Sequence, residues 1–350
     1  WTRYLEVDPS SPWANEAREH LRRLPASTSD SQFRRDQPLL ENAALRGDAH
    51  AVEQIVDRYR QQARAWGEAE YLGRWADGND AARNLTIARA IGDALVRLSG
   101  ELLLRDAVAA IDSASPVQRT TIAEAHAAYR KGRMTYSRRE PAAAESDLRR
   151  AATLFAQARD PMALAARYFA ACTRFDQNDT ASARRELNAL RDETTHQALG
   201  AQIDWELALC AIRDEDWSAA AMLSEDASRT FERLGETSNL AFLQAIRATS
   251  LNDLGRPHEG WELRAKAFAA QSGEGRGDRL PQSLSDASRV ELRTGRMASA
   301  RALLDVETIF HRSTGDDVEL SNALTRGALL AMTAGDKDEA GRAAQQGMSA

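Results

Sequence analysis

The sequence predicts an all-α chain built as an α-solenoid of helical hairpins, and three observations carry that prediction. The first is composition: of 350 residues, 66 are Ala and only 18 are Val or Ile, with 9 Pro and 6% aromatics. Ala, Leu, Arg and Glu are strong intrinsic helix formers, whereas a pleated, half-buried surface selects β-branched and aromatic side chains, so an all-β protein is excluded. The second is a repeat. Small residues fall in a column at Ala143, Ala183, Ala220, Gly260, Ala300 and Ala340, with successive spacings of 40, 37, 40, 40 and 40. The third is the turn residue five positions before each member, at Arg138, Asn178, Glu215, Gly255, Gly295 and Gly335. Gly and Asn tolerate the left-handed backbone that closes a helix, which is why they recur at that point.

Taken in order, residues 1–24 (WTRYLEVDPSSPWANEAREHLRRL) read as the end of a preceding repeat, a break at Pro9 to Pro12 and a following helix. Residues 25–36, PASTSDSQFRRD, are polar and Ser-rich and read as a linker. Residues 37–116 are a degenerate helical region. Within it RGDAHAVEQIVDRYRQQARAW, around Gly47 and Val52, resembles the turn and second helix of one unit. NDAARNLTIARAIGDALVRLSGELLLRDAVAAID then reads as two helices that lack the repeat turn.

Residues 117–350 hold five to six hairpins, each with two helical stretches per period, as in SNLAFLQAIRATSLNDL followed by HEGWELRAKAFAAQ. The column is small because two antiparallel helices on a short turn approach closely only where one presents Ala or Gly. Such a hairpin cannot bury its apolar face alone, so hairpins stack into a right-handed superhelix. The period exceeds the 34 residues of a tetratricopeptide repeat (TPR), which makes the fold TPR-like. Closely spaced glycines at Gly273, Gly275 and Gly277 mark a flexible loop. The final DKDEAGRAAQQGMSA reads as a helix start, so both ends are expected to lie inside a longer array.

Charge and motifs narrow the function. The net charge is -6 and no basic stripe is present, which argues against a nucleic-acid partner. Only Lys131, Lys266 and Lys337 are lysines among 46 basic residues, a bias that a GC-rich genome accounts for. No apolar run reaches the roughly 18 residues of a membrane span, so no membrane contact is expected of this segment.

The sequence contains no GxSxG elbow, no GxxxxGK[ST] phosphate loop and no HExxH. The six histidines, His20, His50, His126, His196, His258 and His311, are scattered and read as surface or turn residues; His126 and His196 alone sit where an inward position is conceivable. Cys172 and Cys210 occupy nearly equivalent places on successive first helices and read as small packing residues. No catalytic residue, cofactor or metal site is expected. What the architecture offers instead is a concave surface lined by first helices. Counting back from the turns places Gln202, Trp205, Arg213, Asn252, Gln282, Arg289, Arg293, Asn322 and Thr325 on it. Asn, Gln and Arg suit the backbone or carboxylates of an extended peptide, while Trp205 could equally pack between hairpins.

WTRYLEVDPSSPWANEAREHLRRL, LLLRDAVAAID and FERLGETSNLAFLQAIRATSLNDLGRPHEGWELRAKAF together resemble the helical-repeat region upstream of the CHAT domain, a caspase-like, TPR-associated domain of large bacterial proteins. The resemblance covers nearly the whole chain and rests on packing and turn residues. It implies a regulatory arm that binds a protein or peptide partner and controls an attached or associated caspase-like peptidase. The family's His and Cys dyad has no counterpart here, so Cys172 and Cys210 do not inherit it. The family includes proteins anchored in the envelope ahead of the repeats; otherwise a cytoplasmic location is expected. A different expectation from the same period is the sensor superhelix of a large bacterial transcription activator, whose groove binds a small inducer.

Overall fold

The computed structural model describes residues 29–78, 80–271 and 279–349. Among them all regular structure is helical. The chain divides into two compact units, Phe33–Leu243 and a second that contains Gln244–Ala350, which are taken in turn. The sequence readings for residues 1–24 and for Gly273 to Gly277 lie outside the described residues.

The first unit begins with α1 (Ser29–Leu45), α2 (Ala49–Arg58), α3 (Arg60–Trp66), a π-helical turn (Gly67–Tyr71), α4 (Leu72–Ala76), α5 (Ala81–Ser99) and α6 (Leu103–Ser113). The linker expected at 25–36 is therefore helical from Ser29 onward. Its Ser-rich composition conceals Phe33, which is fully buried and meets Tyr59 and Trp66 edge-on at 5.6 and 5.9 Å. An aromatic anchor of that size stabilises the first turns of a helix that propensity alone leaves undecided.

Hairpins follow: α7 (Pro116–Ser137) with α8 (Pro141–Ala158), α9 (Met162–Asp176) with α10 (Thr180–Glu193), and α11 (Gln197–Arg213) with α12 (Trp217–Leu234). A reciprocal cap starts α7, in which Ser115 and Gln118 satisfy each other's backbone N–H, with Pro116 at the first helical position. One apolar core runs from Phe33 to Ala170 and joins α1–α6 to α7, α8 and α9. His126 lies fully inside it, edge-on between Trp75 and Phe155, and burial pushes its pKa down to about 3. It is a neutral core residue, in the inward position that the sequence allowed.

The second unit continues the pattern. α13 (Thr237–Asp253) pairs with α14 (Pro257–Gln271), α15 (Leu280–Arg293) with α16 (Met297–Thr314), and α17 (Asp317–Thr333) with α18 (Lys337–Ser349). A Cβ at Gly260 would lie 2.7 Å from the Ala248 carbonyl oxygen, so α13 and α14 approach as closely as the column requires. Ala300 and Leu304 pack with Leu330, joining α16 to α17.

Every hairpin turn is the same motif. The residue at its centre has positive φ and its N–H bonds three residues back, while the next N–H bonds five residues back, as in Gly295 to Leu292 and Arg296 to Glu291. The sequence located five of the six centres: Asn178, Glu215, Gly255, Gly295 and Gly335. The first is Arg139 instead of Arg138, and its column residue is the fully buried Ala144 instead of the exposed Ala143. In the segment SRREPAAAE, neighbouring arginines and alanines are equivalent by composition, and only packing picks one. Gly47 closes α1 with the same pair of bonds, and Val52 is buried five residues later, so a repeat-type turn extends into the degenerate region. Asp48, Asp179, Asp216 and Asp336 cap the helices that follow their turns.

Candidate partner-binding face

On α9, Tyr168, Cys172 and Asp176 recur at four-residue spacing, and on α11 Gln202, Glu206, Cys210 and Arg213 do the same within a residue. At about 100° per residue each set forms one face, and the two faces meet. Arg213 lies 3.6 Å from the centre of the Phe175 ring on α9 and donates to the Phe175 carbonyl at 2.6 Å. From α7 the matching face brings Tyr129, Arg133 and Tyr136. Arg133 lies 3.5 Å from the centre of the Phe169 ring and donates to the Tyr129 hydroxyl at 3.0 Å. Both arginines thus lie against aromatic rings of α9 (cation–π contacts), which fixes their planar forks while leaving polar edges free for other bonds.

Burial sorts these groups into a floor and a rim. Tyr168, Cys172 and Glu206 are buried, whereas Arg133, Tyr136 and Gln202 are half-buried and Asp176 and Arg213 are exposed. The Cys172 thiol is within hydrogen-bonding reach of Tyr168 and Glu206, and Tyr136 of Asp176. Burial pushes the Glu206 carboxyl up to about 8; the Asp176 charge adds to the rise, and Arg213 and Cys172 partly offset it. At neutral pH Glu206 is mostly protonated and can donate a hydrogen bond. Burial also raises both thiols, Cys210 to about 12. A thiol held protonated is a poor nucleophile, so these cysteines act as packing groups. Among the described residues no three His, Cys, Asp or Glu side chains converge to hold a metal.

Of the residues expected on the first-helix surface, Gln202 and Arg213 belong to this face. Trp205 points away from it: its buried ring packs against Phe231 and Phe242, with centroids 6.4 and 5.0 Å away. Among the described residues of the second unit, the expected residues do not gather into one face. Arg293 reaches the previous first helix and pairs with Asp253 at 2.9 Å, beside the half-buried Asn252. The rest bond within their own helix: Arg289 to Asp286, Asn322 to Glu319 and Thr325 to the Ser321 carbonyl. Gln282 is exposed on α15. Counting back from the turns missed Tyr136, Tyr168, Asp176 and Glu206. The signal for Glu206 was present in IDWELALCAI, where two carboxylates, Asp204 and Glu206, interrupt an apolar helix.

Hairpins closed by one recurrent turn, with small residues at each close approach, define an all-α, TPR-like helical-repeat protein. The comparison with solved structures agrees. RapI, a helical-repeat protein solved in its apo form, superposes with a TM-score of 0.54 at 12% identity, covering 81% of this chain and 97% of RapI. At that identity the likeness concerns the fold. No family model matches the sequence, and no curated protein matches it. No described helix is long and apolar enough to cross a membrane.

Proposed function

We propose that this chain is a non-catalytic scaffold that binds a protein or peptide partner on its first-helix faces. In the same proposal it is the regulatory repeat region of a larger bacterial CHAT-type protein, in which the bound partner controls a caspase-like peptidase. The observation that supports binding is the floor and rim on α7, α9 and α11. Hairpin packing needs only small apolar residues at helix contacts, yet here Tyr168 and Glu206 are buried beneath a rim of Arg133, Tyr136, Asp176 and Arg213. Burying a carboxyl costs free energy that packing does not repay. Aromatic and Arg anchors of this kind carry most of the energy at protein interfaces. As a regulator, the scaffold acts by binding one state of the peptidase more tightly than the other. The sequence resemblance supports the CHAT assignment.

The test is binding of the purified chain to a purified caspase-like domain encoded in the same reading frame, followed by titration calorimetry. Wild type is expected to bind, and a Tyr136→Ala/Arg213→Ala variant to bind at least tenfold more weakly. Equal binding by both overturns the assigned face, and no binding by wild type overturns the peptidase link. Peptidase activity of the chain itself, abolished by Cys172→Ala, overturns the non-catalytic reading. A small molecule that raises the melting temperature of wild type but not of Glu206→Gln supports the inducer-sensor reading instead.

A further inference from the structure

Helices α1–α6 meet the hairpins in two chemically different ways. Toward α7, α8 and α9 they share the apolar core that ends at Ala170. Toward the stretch from His196 to Asn239 the bonds come from charged side chains. Arg60 donates to the Leu234 carbonyl at 2.9 Å. Arg64 grips Glu236 with two bonds of 2.7 and 3.0 Å. Glu101 accepts the Ala198 N–H at 2.8 Å, at the start of α11.

We propose that α1–α6 form an arm fixed to α7, α8 and α9 by the shared core and fastened to the 196–239 stretch by a polar clasp centred on Arg64, a clasp that opens as a local two-state element sensitive to pH. The proposal does not require the function read above, although Arg133 belongs to both the rim and the groups that face Glu68.

The charge balance of the clasp supplies the pH sensitivity. Glu68, on the π-helical turn, faces Arg64, Glu101, Arg133 and Glu236, with Tyr129 beside it. Three carboxyls therefore share two guanidiniums. Arg64 and Glu236 form the forked pair, and Asn239 adds a bond to Glu236 at 2.6 Å. Glu68 is left 3.6 Å from Arg64, buried, and its Oε1 accepts no hydrogen bond among the described residues. A proton on Glu68 leaves two carboxylates for two guanidiniums, and its loss leaves a surplus negative charge out of water.

Burial, opposed by Arg64 and reinforced by Glu101, accordingly pushes Glu68 up to about 7. In the open clasp water returns it to the ordinary carboxylate range. The closed clasp is therefore most stable below that range and weakens as pH rises through about 7. Linkage puts the change in the opening constant at about tenfold between pH 6 and pH 8.

Hydrogen exchange of the whole chain tests this, with rates divided by the intrinsic rate at each pH. Residues 196–203 and 234–240 report on the clasp, and α9 is the internal reference. Wild type is expected to lose about tenfold protection in both reporters from pH 6 to pH 8, with α9 unchanged. Glu68→Gln, which keeps the shape and removes the charge, is expected to hold the pH 6 protection at both values. Arg60→Ala should lower protection in the 234–240 segment at both pH values and leave the tenfold ratio intact. A pH-independent wild type overturns the proposal, as does an equal response in Glu68→Gln. Loss of protection that extends to α9 overturns it too, because the opening would then be global.

Discussion

The hairpins of the Phe33–Leu243 unit and those of the Gln244–Ala350 unit share one turn motif and one column of small residues, but they spend their polar side chains differently. In the first unit, charged groups reach across the sequence and are buried: Arg64 pairs with Glu236, 172 residues away, and Glu206 lies under Arg213 and Asp176. In the second, the buried Glu307 finds His311 and Arg326 within 19 residues, and Arg289, Asn322 and Thr325 bond one turn away on the same helix. The turns differ as well. Arg139, Arg159, Asn178 and Glu215 hold positive φ between α7 and α12, whereas Gly235, Gly255, Gly295, Gly315 and Gly335 do so afterwards. The spacing also tightens to 39 and 37 residues between Ala144, Ala183 and Ala220, then settles at 40.

The comparison breaks most visibly at Arg64. Arg64→Leu leaves Glu236 and Glu68 buried without their cation, and removing one partner of a buried pair typically costs about 3–5 kcal/mol. Burial works against the Arg64 charge, but Glu236 and Glu68 more than offset it and hold the group protonated. Urea unfolding is expected to show that loss. A change below 1 kcal/mol would mean that the forked pair contributes no more than an exposed one.

Glu206 gives the next effect, expected on the order of a few kcal/mol by linkage. Its carboxyl is raised in the folded chain, so the folded state holds a proton that the unfolded state releases in the ordinary carboxylate range. The associated stability is complete below that range and is lost as pH rises through about 8. Glu68 and Asp160 are raised only to about 7, so the interval from pH 7.5 to 8.5 reports mainly on Glu206. Across it the urea midpoint of wild type should fall further than that of Glu206→Gln. Parallel curves would show that Glu206 is ionised in the folded chain.

These two residues also show what the sequence could and could not reveal. The turn centres were legible because Gly and Asn announce a left-handed backbone, and the column because close helix approach admits only small side chains. Arg139 and Ala144 were missed by one position because chemically equivalent neighbours flank them. Helix α1 was missed over Ser29 to Asp36 because its anchor, Phe33, is a single residue in a polar run. The Arg64–Glu236 pair was illegible in principle: nothing local in RQQARAW or LGETSN says that they meet. Of the predicted binding residues, Gln202 and Arg213 fell on the face that the structure assembles because they lie on α11 at its period. Trp205, one residue before Glu206, packs against Phe231 and Phe242, the alternative that its sequence position left open.

The turns offer a smaller and symmetric pair of effects. Glu215 has φ of 60° and Gly295 has φ of 76°, at matching points of the same motif. The left-handed region costs a non-Gly residue about 1 kcal/mol. Glu215→Gly should therefore gain up to that amount, less the added entropy of the unfolded chain, and Gly295→Ala should lose about as much. Thermal melts of both variants check the signs. Destabilisation by Glu215→Gly would reveal a role for the Glu215 side chain beyond closing the helix.

The smallest effect lies in the second unit, at the one cross-hairpin pair among its expected binding residues. Arg293 and Asp253 meet at 2.9 Å between consecutive first helices, but the Arg293 side chain is 52% exposed. Water screens such a pair, and exposed ion pairs measured by double-mutant cycles contribute about 0.2–1 kcal/mol. The cycle Arg293→Ala, Asp253→Ala and both should return a coupling in that range, shrinking as salt is raised to 1 M. A coupling above 2 kcal/mol that persists at 1 M salt would place Arg293 in the same class as Arg64. Exposure would then no longer separate the Arg293–Asp253 pair from the buried Arg64–Glu236 pair.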